Sequence, residues 1–276
     1  MSEKNSEIRK LQEKSLEILK VFKAFCDKHE LLFFFCGGCC IGTLRHGGFI
    51  PWDDDIDIAM PRPDYNSFIE IVNNENTKMK VICFNSDKKF KDLYAKVYDP
   101  KTHIEETSVN RFGFECGVYV DLYPIDGLGD TYESALLQFK KSSIHRELLN
   151  AANWKSFKRS KTHAWYYELI RFPFYCITRF INADKLIEKI ERTYISNEFD
   201  SSRYVAIVSG SYREKEILPY DIYKDYIYID FENRQFSAIK RYDEYLSNIY
   251  GDYMQLPPIE KQVTHHSFKA YYKEGK

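Results

Sequence analysis

Residues 37–65 read GGCCIGTLRHGGFIPWDDDIDIAMPRPDY, and the fold is decided at the acidic run in the middle, Asp53, Asp54, Asp55 and Asp57 around Ile56. Read as a strand, Ile56, Ile58 and Met60 share one face while Asp53, Asp55 and Asp57 share the other. The apolar face packs into a core and presents a row of carboxylates opposite. Like charges at that spacing repel, and a hard divalent cation relieves the repulsion because it prefers carboxylate oxygens. Upstream, the apolar run Leu31–Phe35 leads into Gly37-Gly38 and then a helix-like piece to Arg45. A glycine turn opening onto a helix N-terminus offers backbone N–H groups to a phosphate. Phosphate cradle followed by paired carboxylates is the layout of a metal-dependent phosphoryl or nucleotidyl transferase.

A calcium loop is the competing reading of Asp53-x-Asp55-x-Asp57, and it fails on detail. The sixth loop position is Ile58 where glycine is needed, and the twelfth is Asp64 rather than glutamate. Cys36-x-x-Cys39 lacks a second pair at zinc spacing, and an odd count of 7 scattered cysteines argues for reduced thiols. A formal net charge of −1 over 276 residues gives no global field for nucleic acid or an anionic membrane, so any such attraction must be local. The N-terminal MSEKNSEIRK is charged and has no apolar h-region, which leads us to expect a cytoplasmic protein.

Working outward, residues 6–29 predict an amphipathic helix with Ile8, Leu11, Ile18, Leu19, Phe22, Phe25 and Cys26 on its inner stripe. Pro61 ends the central strand, and Asp64 is placed to cap a helix running to about Asn73. Residues 93–98 and 102–107 predict a hairpin around Asp99-Pro100 that carries Lys96. In 117–123, Val118, Val120 and Leu122 alternate with Tyr119, Asp121 and Tyr123, which sets Asp121 on the polar face of a further strand. Residues 131–195 switch to helical periodicity. Within them the basic cluster Lys155, Lys158, Arg159 and Lys161 precedes an aromatic segment, Trp165–Ile181, interrupted by Glu168, Arg171 and Arg179. That segment is too short and too charged to span a bilayer; it is either an interfacial helix or a core helix. A last helix is expected from about Ser237 to Gly251.

GTLRHGGFIPWDDDIDIAMPRPDY resembles the signature of the LicD family, the phosphocholine transferases of bacterial surface glycans, which also includes the fukutin-related proteins. That family is similar in turn to the DNA-polymerase-β-like nucleotidyltransferases, marked by a glycine turn followed by Asp-hydrophobic-Asp, here Asp55-Ile56-Asp57. The resemblance continues at YVDLYPIDGL (119–128) and at YGDYMQLPP followed by His265-His266. Where the family carries a hydroxyl residue after the first glycine turn, this chain has Cys39 and Cys40.

The fold expected is therefore α/β, a nucleotidyltransferase-like mixed sheet flanked by helices, with an additional helical region. Residues 1–130 are expected to be the catalytic core, 131–200 the helical region, and 201–276 a strand and helix part completing the same domain. The resemblance implies transfer of a phospho-alcohol, phosphocholine from CDP-choline first, to a hydroxyl of a cell-surface glycan or its lipid-linked precursor. The alternatives are a nucleotidyltransferase placing a nucleoside monophosphate on a small acceptor, and a non-catalytic glycan-binding member. Asp55, Asp57 and Asp121 are the expected catalytic residues and ligands for Mg²⁺, with Mn²⁺ as the substitute. Gly37, Gly38, Arg45, Asp53, Lys96, His265 and His266 are the expected donor contacts. No nucleic acid is expected as a partner, and peripheral contact with the inner face of the plasma membrane is.

Overall fold

A computed structural model describes residues 3–106, 113–157, 159, 164–264 and 268–272. The chain opens with α1 (Glu3–Lys28), β1 (Phe34–Phe35), α2 (Gly37–His46), β2 (Asp57–Pro61) and α3 (Arg62–Asn74). β3 (Lys80–Ile82), β4 (Ala95–Tyr98), β5 (Thr102–Glu106) and β6 (Tyr119–Gly127) follow, then the helices α4 (Tyr132–Asn153), α5 (Glu168–Thr178) and α6 (Ala183–Tyr194). The last part comprises β7 (Tyr204–Ala206), β8 (Leu218–Pro219), β9 (Tyr226–Phe231), β10 (Arg234–Ile239), α7 (Tyr242–Tyr250) and β11 (Phe268–Tyr272).

The result is a mixed α/β fold. Its main sheet runs β1-β2-β6-β4-β3, with β7 pairing the far end of β6 and β8 pairing β7. β2 and β6 are parallel and the other neighbours antiparallel. Both faces are covered, so β6 is buried along almost its whole length rather than alternating in exposure. On one face α1 and α3 lie against β6, and Phe22 meets Phe33 at 5.1 Å and Phe68 at 4.9 Å. A second core gathers Phe139 and Leu149 of α4 with Leu186, Ile187, Ile190 and Tyr194 of α6, at the spacing of one helical stripe.

Three expectations change. The expected hairpin does not form a ladder: β4 has both edges occupied by β3 and β6, so β5 pairs with β11 instead. The turn itself forms, with Thr102 N–H donating to the Asp99 carbonyl at 3.1 Å. The helix after Pro61 begins at Arg62, so Asp64 sits inside its first turn rather than capping it. Residues expected to open the last helix at Ser237 belong to β10, and α7 begins at Tyr242. β10 forms a two-residue hairpin with β9 through Glu232 and Asn233, both at positive φ, and packs Phe231 and Phe236 on Phe35 of β1.

Candidate active site

Sheet register brings the acidic residues together. Asp57 opens β2 directly opposite Asp121 of β6, and Lys96 of β4 lies opposite Asp121 on its other side. Asp53 and Asp55 precede β2 in an irregular turn, not in a strand, yet they reach the same place. One carboxylate oxygen from each of Asp55, Asp57 and Asp121 lies within 4.8 Å of the others, and Asp53, Asp54 and Asp55 make a second such group.

The electrostatics match a site built for a cation. Burial pushes the Asp57 carboxyl well up, and the neighbouring Asp55, Asp121 and Asp53 push it further against the pull of Lys96. Asp53 is pushed up to about 8 by burial and by Asp55. Asp121 rises only to about 6, because Lys96 offsets its burial; Lys96 Nζ donates to Asp121 Oδ1 at 2.7 Å. Burial alone would pull the buried Lys96 down, but Asp121 holds it well above the ordinary lysine value. Hard oxygen donors, enclosed and short of positive charge, fit a divalent cation of the Mg²⁺ or Mn²⁺ kind.

The glycine turn lies against this cluster. Gly37, at φ +53°, begins α2, and a Cβ there would come within 3.1 Å of Asp57 Oδ2. A Cβ on Gly38 would sit 2.5 Å from Asp53 Oδ2, so only glycine admits the carboxylate this close. Gly37 N–H donates to the Tyr245 hydroxyl at 3.4 Å. Cys39 Sγ accepts the Asp57 N–H at 3.3 Å and faces the Asp55 carbonyl, so this cysteine fixes the backbone beneath the carboxylates. Cys36, Cys39 and Cys40 are buried free thiols, held neutral by burial.

The carboxylates of Asp53, Asp55, Asp57 and Asp121, with Gly37 and Gly38, line a cavity of about 480 Å³. Six aromatic residues line the same cavity: Trp52, Tyr94, Tyr123, Tyr212, Tyr245 and Tyr250. Two ring pairs stiffen it, Tyr94–Tyr123 at 4.5 Å and Tyr212–Tyr250 at 4.7 Å. Glu216 also lines the cavity; it is buried, pushed up to about 8 by burial against Arg146, and among the described residues its Oε2 has no hydrogen-bond partner.

Lys96 and Arg45, expected among the donor contacts, are not in the cavity lining. Lys96 stands behind Asp121 with its ammonium 3.5 Å from the centre of the Tyr119 ring. Arg45 donates to the Tyr253 carbonyl at 3.0 Å and the Gln255 carbonyl at 3.4 Å, at the far end of α2. Arg62, the second arginine flanking the acidic run, is clasped by Asp126 through bonds of 2.5 and 2.9 Å. Asp126 itself is a buried residue of β6. His265 and His266 lie outside the described residues. Glu216 and Tyr212 were missed by sequence reasoning because they come from a loop and short 3-10 turn without periodicity; Tyr250 stood within the quoted YGDYMQLPP.

Strand order, register and carboxylates define a nucleotidyltransferase-like domain with a clustered acidic metal-binding site. Residues 30–126 match the family model described as LicD/FKTN/FKRP, nucleotidyltransferase domain. The chain is similar to the lipopolysaccharide cholinephosphotransferase LicD of Haemophilus influenzae, 29% identical over 268 residues covering 96% of this chain and 97% of that protein. An uncharacterised protein of Rickettsia typhi is 27% identical over 93 residues, 29% of this chain and 30% of its own length.

Proposed function

We propose that this protein transfers a phospho-alcohol, phosphocholine before others, from a CDP-alcohol to a hydroxyl of a cell-surface glycan or its lipid-linked precursor. The observation that carries the reading is the cavity itself, lined together by carboxylates, a glycine turn and tyrosines. Asp55, Asp57 and Asp121 hold Mg²⁺, or Mn²⁺ in its place. Bound there, the cation supplies charge neutralisation for the donor diphosphate and the leaving CMP. Gly37 and Gly38 line the cavity at the start of α2, where the helix dipole favours the negative charge of a donor phosphate. Asp53 faces the same cavity and takes the proton of the acceptor hydroxyl.

The alcohol is read from the aromatic lining. A quaternary ammonium is attracted to ring faces and to a nearby carboxylate, and Tyr212, Tyr245, Tyr250 and Glu216 supply both. The named activity of the Haemophilus influenzae relative points to the same alcohol. The test is to incubate the protein with CDP-choline, CDP-glycerol or CDP-ribitol, a glycan acceptor and Mg²⁺. We expect metal-dependent CMP release, fastest with CDP-choline, and phosphocholine on the glycan. A nucleotide left on the acceptor would assign the protein to nucleotidyl transfer, and CMP release from none of the donors would overturn the reading.

A further inference from the structure

The α5 helix is turned inside out. Its charged residues face the protein: Arg179 donates to the Ala151, Ala152 and Trp154 carbonyls at 2.6, 3.1 and 2.7 Å, closing the C-terminus of α4. Arg171 pairs with Glu168 at 2.9 Å and lies over the Trp154 and Phe157 rings. The apolar residues face outward, with Ile170 72% exposed, Ile177 62% and Phe180 91%. An amphipathic helix on a folded domain ordinarily buries the apolar stripe, so a surface this apolar marks a contact with something else.

Three features identify the occupant. Trp165, Tyr166 and Tyr167 cluster in the 3-10 turn leading into α5, all exposed, ahead of the aliphatic and phenylalanine face. Indole and phenol rings favour a boundary between water and hydrocarbon. Charge is one-sided: residues 154–183 carry Lys155, Lys158, Arg159, Lys161, Arg171 and Arg179 against a single acid, Glu168, in a chain of net charge −1. Lys155 and Arg159 are exposed beside the apolar face, whereas Glu168, Arg171 and Arg179 are occupied inward. Finally, no helix among the described residues is long and apolar enough to cross a membrane, and α5 has 11 residues. A short apolar helix with aromatic and basic flanks lies in an interface rather than through it.

We infer that α5 and the turn before it dock the protein on an anionic lipid bilayer, Ile170, Ile177 and Phe180 entering the acyl boundary while Lys155 and Arg159 meet lipid phosphates. Docking of this kind brings the protein to the surface where a lipid-linked acceptor resides. It is measured without donor or turnover, so it stands or falls separately from the transferase reading.

The experiment is co-sedimentation of the full chain with phosphatidylcholine vesicles and with mixed phosphatidylcholine–phosphatidylglycerol vesicles, at low and high salt. Wild type is expected to bind the mixed vesicles, more weakly as salt rises, and pure phosphatidylcholine poorly. The double variant I170E/F180E, changed only at exposed positions, should keep the wild-type melting temperature and lose about tenfold or more in partitioning. K155E/R159E should lose the preference for anionic lipid alone. Wild type staying in the supernatant with both vesicle types overturns the inference, as does wild-type binding by I170E/F180E. A wild-type dimer in sedimentation velocity that I170E/F180E dissolves, without vesicle binding by either, would assign this face to a second copy of the chain instead.

Discussion

Asp57 and Asp121 are direct partners in the parallel register of β2 and β6. Parallel neighbours point matching residues to the same face, so this one pairing superposes two carboxylates that are 64 residues apart in sequence. Antiparallel pairing of β4 then sets Lys96 beside Asp121 in the same row. The row reads acid, acid, base, and Asp55 joins it from the turn before β2. Lys96 neutralises one carboxylate from behind and leaves the others in excess, which holds Asp57 well above its usual range.

That excess predicts how the site answers to metal. Adding Mg²⁺ should raise the melting temperature, since a ligand at a hundredfold excess over its Kd stabilises by about 2.7 kcal/mol. Asp57→Asn removes one repelling charge, so the metal-free variant should melt at or above the wild-type temperature while losing the Mg²⁺ response. Its turnover should fall by about a hundredfold or more, because stabilising the transferring phosphoryl is an electrostatic task. Asp55→Asn and Asp121→Asn are expected to lose turnover likewise. Full turnover in Asp57→Asn would remove this residue from the site.

How far the sequence revealed this site follows from the range of its signals. Asp55 and Asp57 were legible because apolar residues alternate with them locally, and Asp121 because its strand alternates in the same way. The Asp57–Asp121 register was not, since it depends on strand order. Lys96 looked free for a phosphate because sequence cannot display the cross-strand neighbour that binds it. The β9–β10 hairpin was hidden by Glu232-Asn233, which turns at positive φ without the glycine that usually marks such a turn. Arg9 compensates, holding the Glu232 carboxylate through bonds of 3.1 and 2.8 Å. In α5, Glu168, Arg171 and Arg179 were legible as charged interruptions of an aromatic segment, but periodicity alone does not say which face meets the protein.

Lys96 and Asp121 form a buried pair, and removing one partner leaves the other charged and alone. Lys96→Met should cost about 3 kcal/mol in urea unfolding. The double variant Lys96→Met/Asp121→Asn should recover most of that loss, since no charge is then stranded. A single variant as stable as wild type would show that Lys96 is dispensable to the carboxylate row.

The Arg62–Asp126 clasp makes a contrasting prediction, because neither residue lines the cavity. Asp126 is 1% exposed and Glu191 approaches the same guanidinium at 3.6 Å. Asp126→Asn should destabilise the fold by about 3 kcal/mol and leave the KM for the donor unchanged in the folded fraction. An elevated KM with stability intact would place Arg62 among the diphosphate contacts.

Glu216 carries the last prediction, and its sign follows from proton linkage. Burial raises its carboxyl from 4.5 to about 8, so between those values the folded protein holds a proton that the unfolded chain has released. Stability from this group is therefore present at low pH and is lost as pH rises toward 8, at up to about 1.4 kcal/mol per pH unit. Glu216→Gln should remove that slope and melt higher than wild type above pH 8, compared in the same saturating Mg²⁺ so that the aspartate cluster contributes equally. The group is surrounded by Tyr212, Tyr223, Tyr245 and Cys36, and Arg146 is the cation nearest in effect, itself held by the Ser209 and Gly210 carbonyls. A quaternary ammonium entering the cavity would favour the ionised carboxylate, so CDP-choline binding at pH 7 should release a proton that CDP-glycerol binding does not. Calorimetry in buffers of different ionisation enthalpy measures that release directly. In Glu216→Gln the release should vanish and the KM for CDP-choline should rise toward that for CDP-glycerol. Equal proton release with both donors, or an unchanged preference in the variant, would move the alcohol away from Glu216.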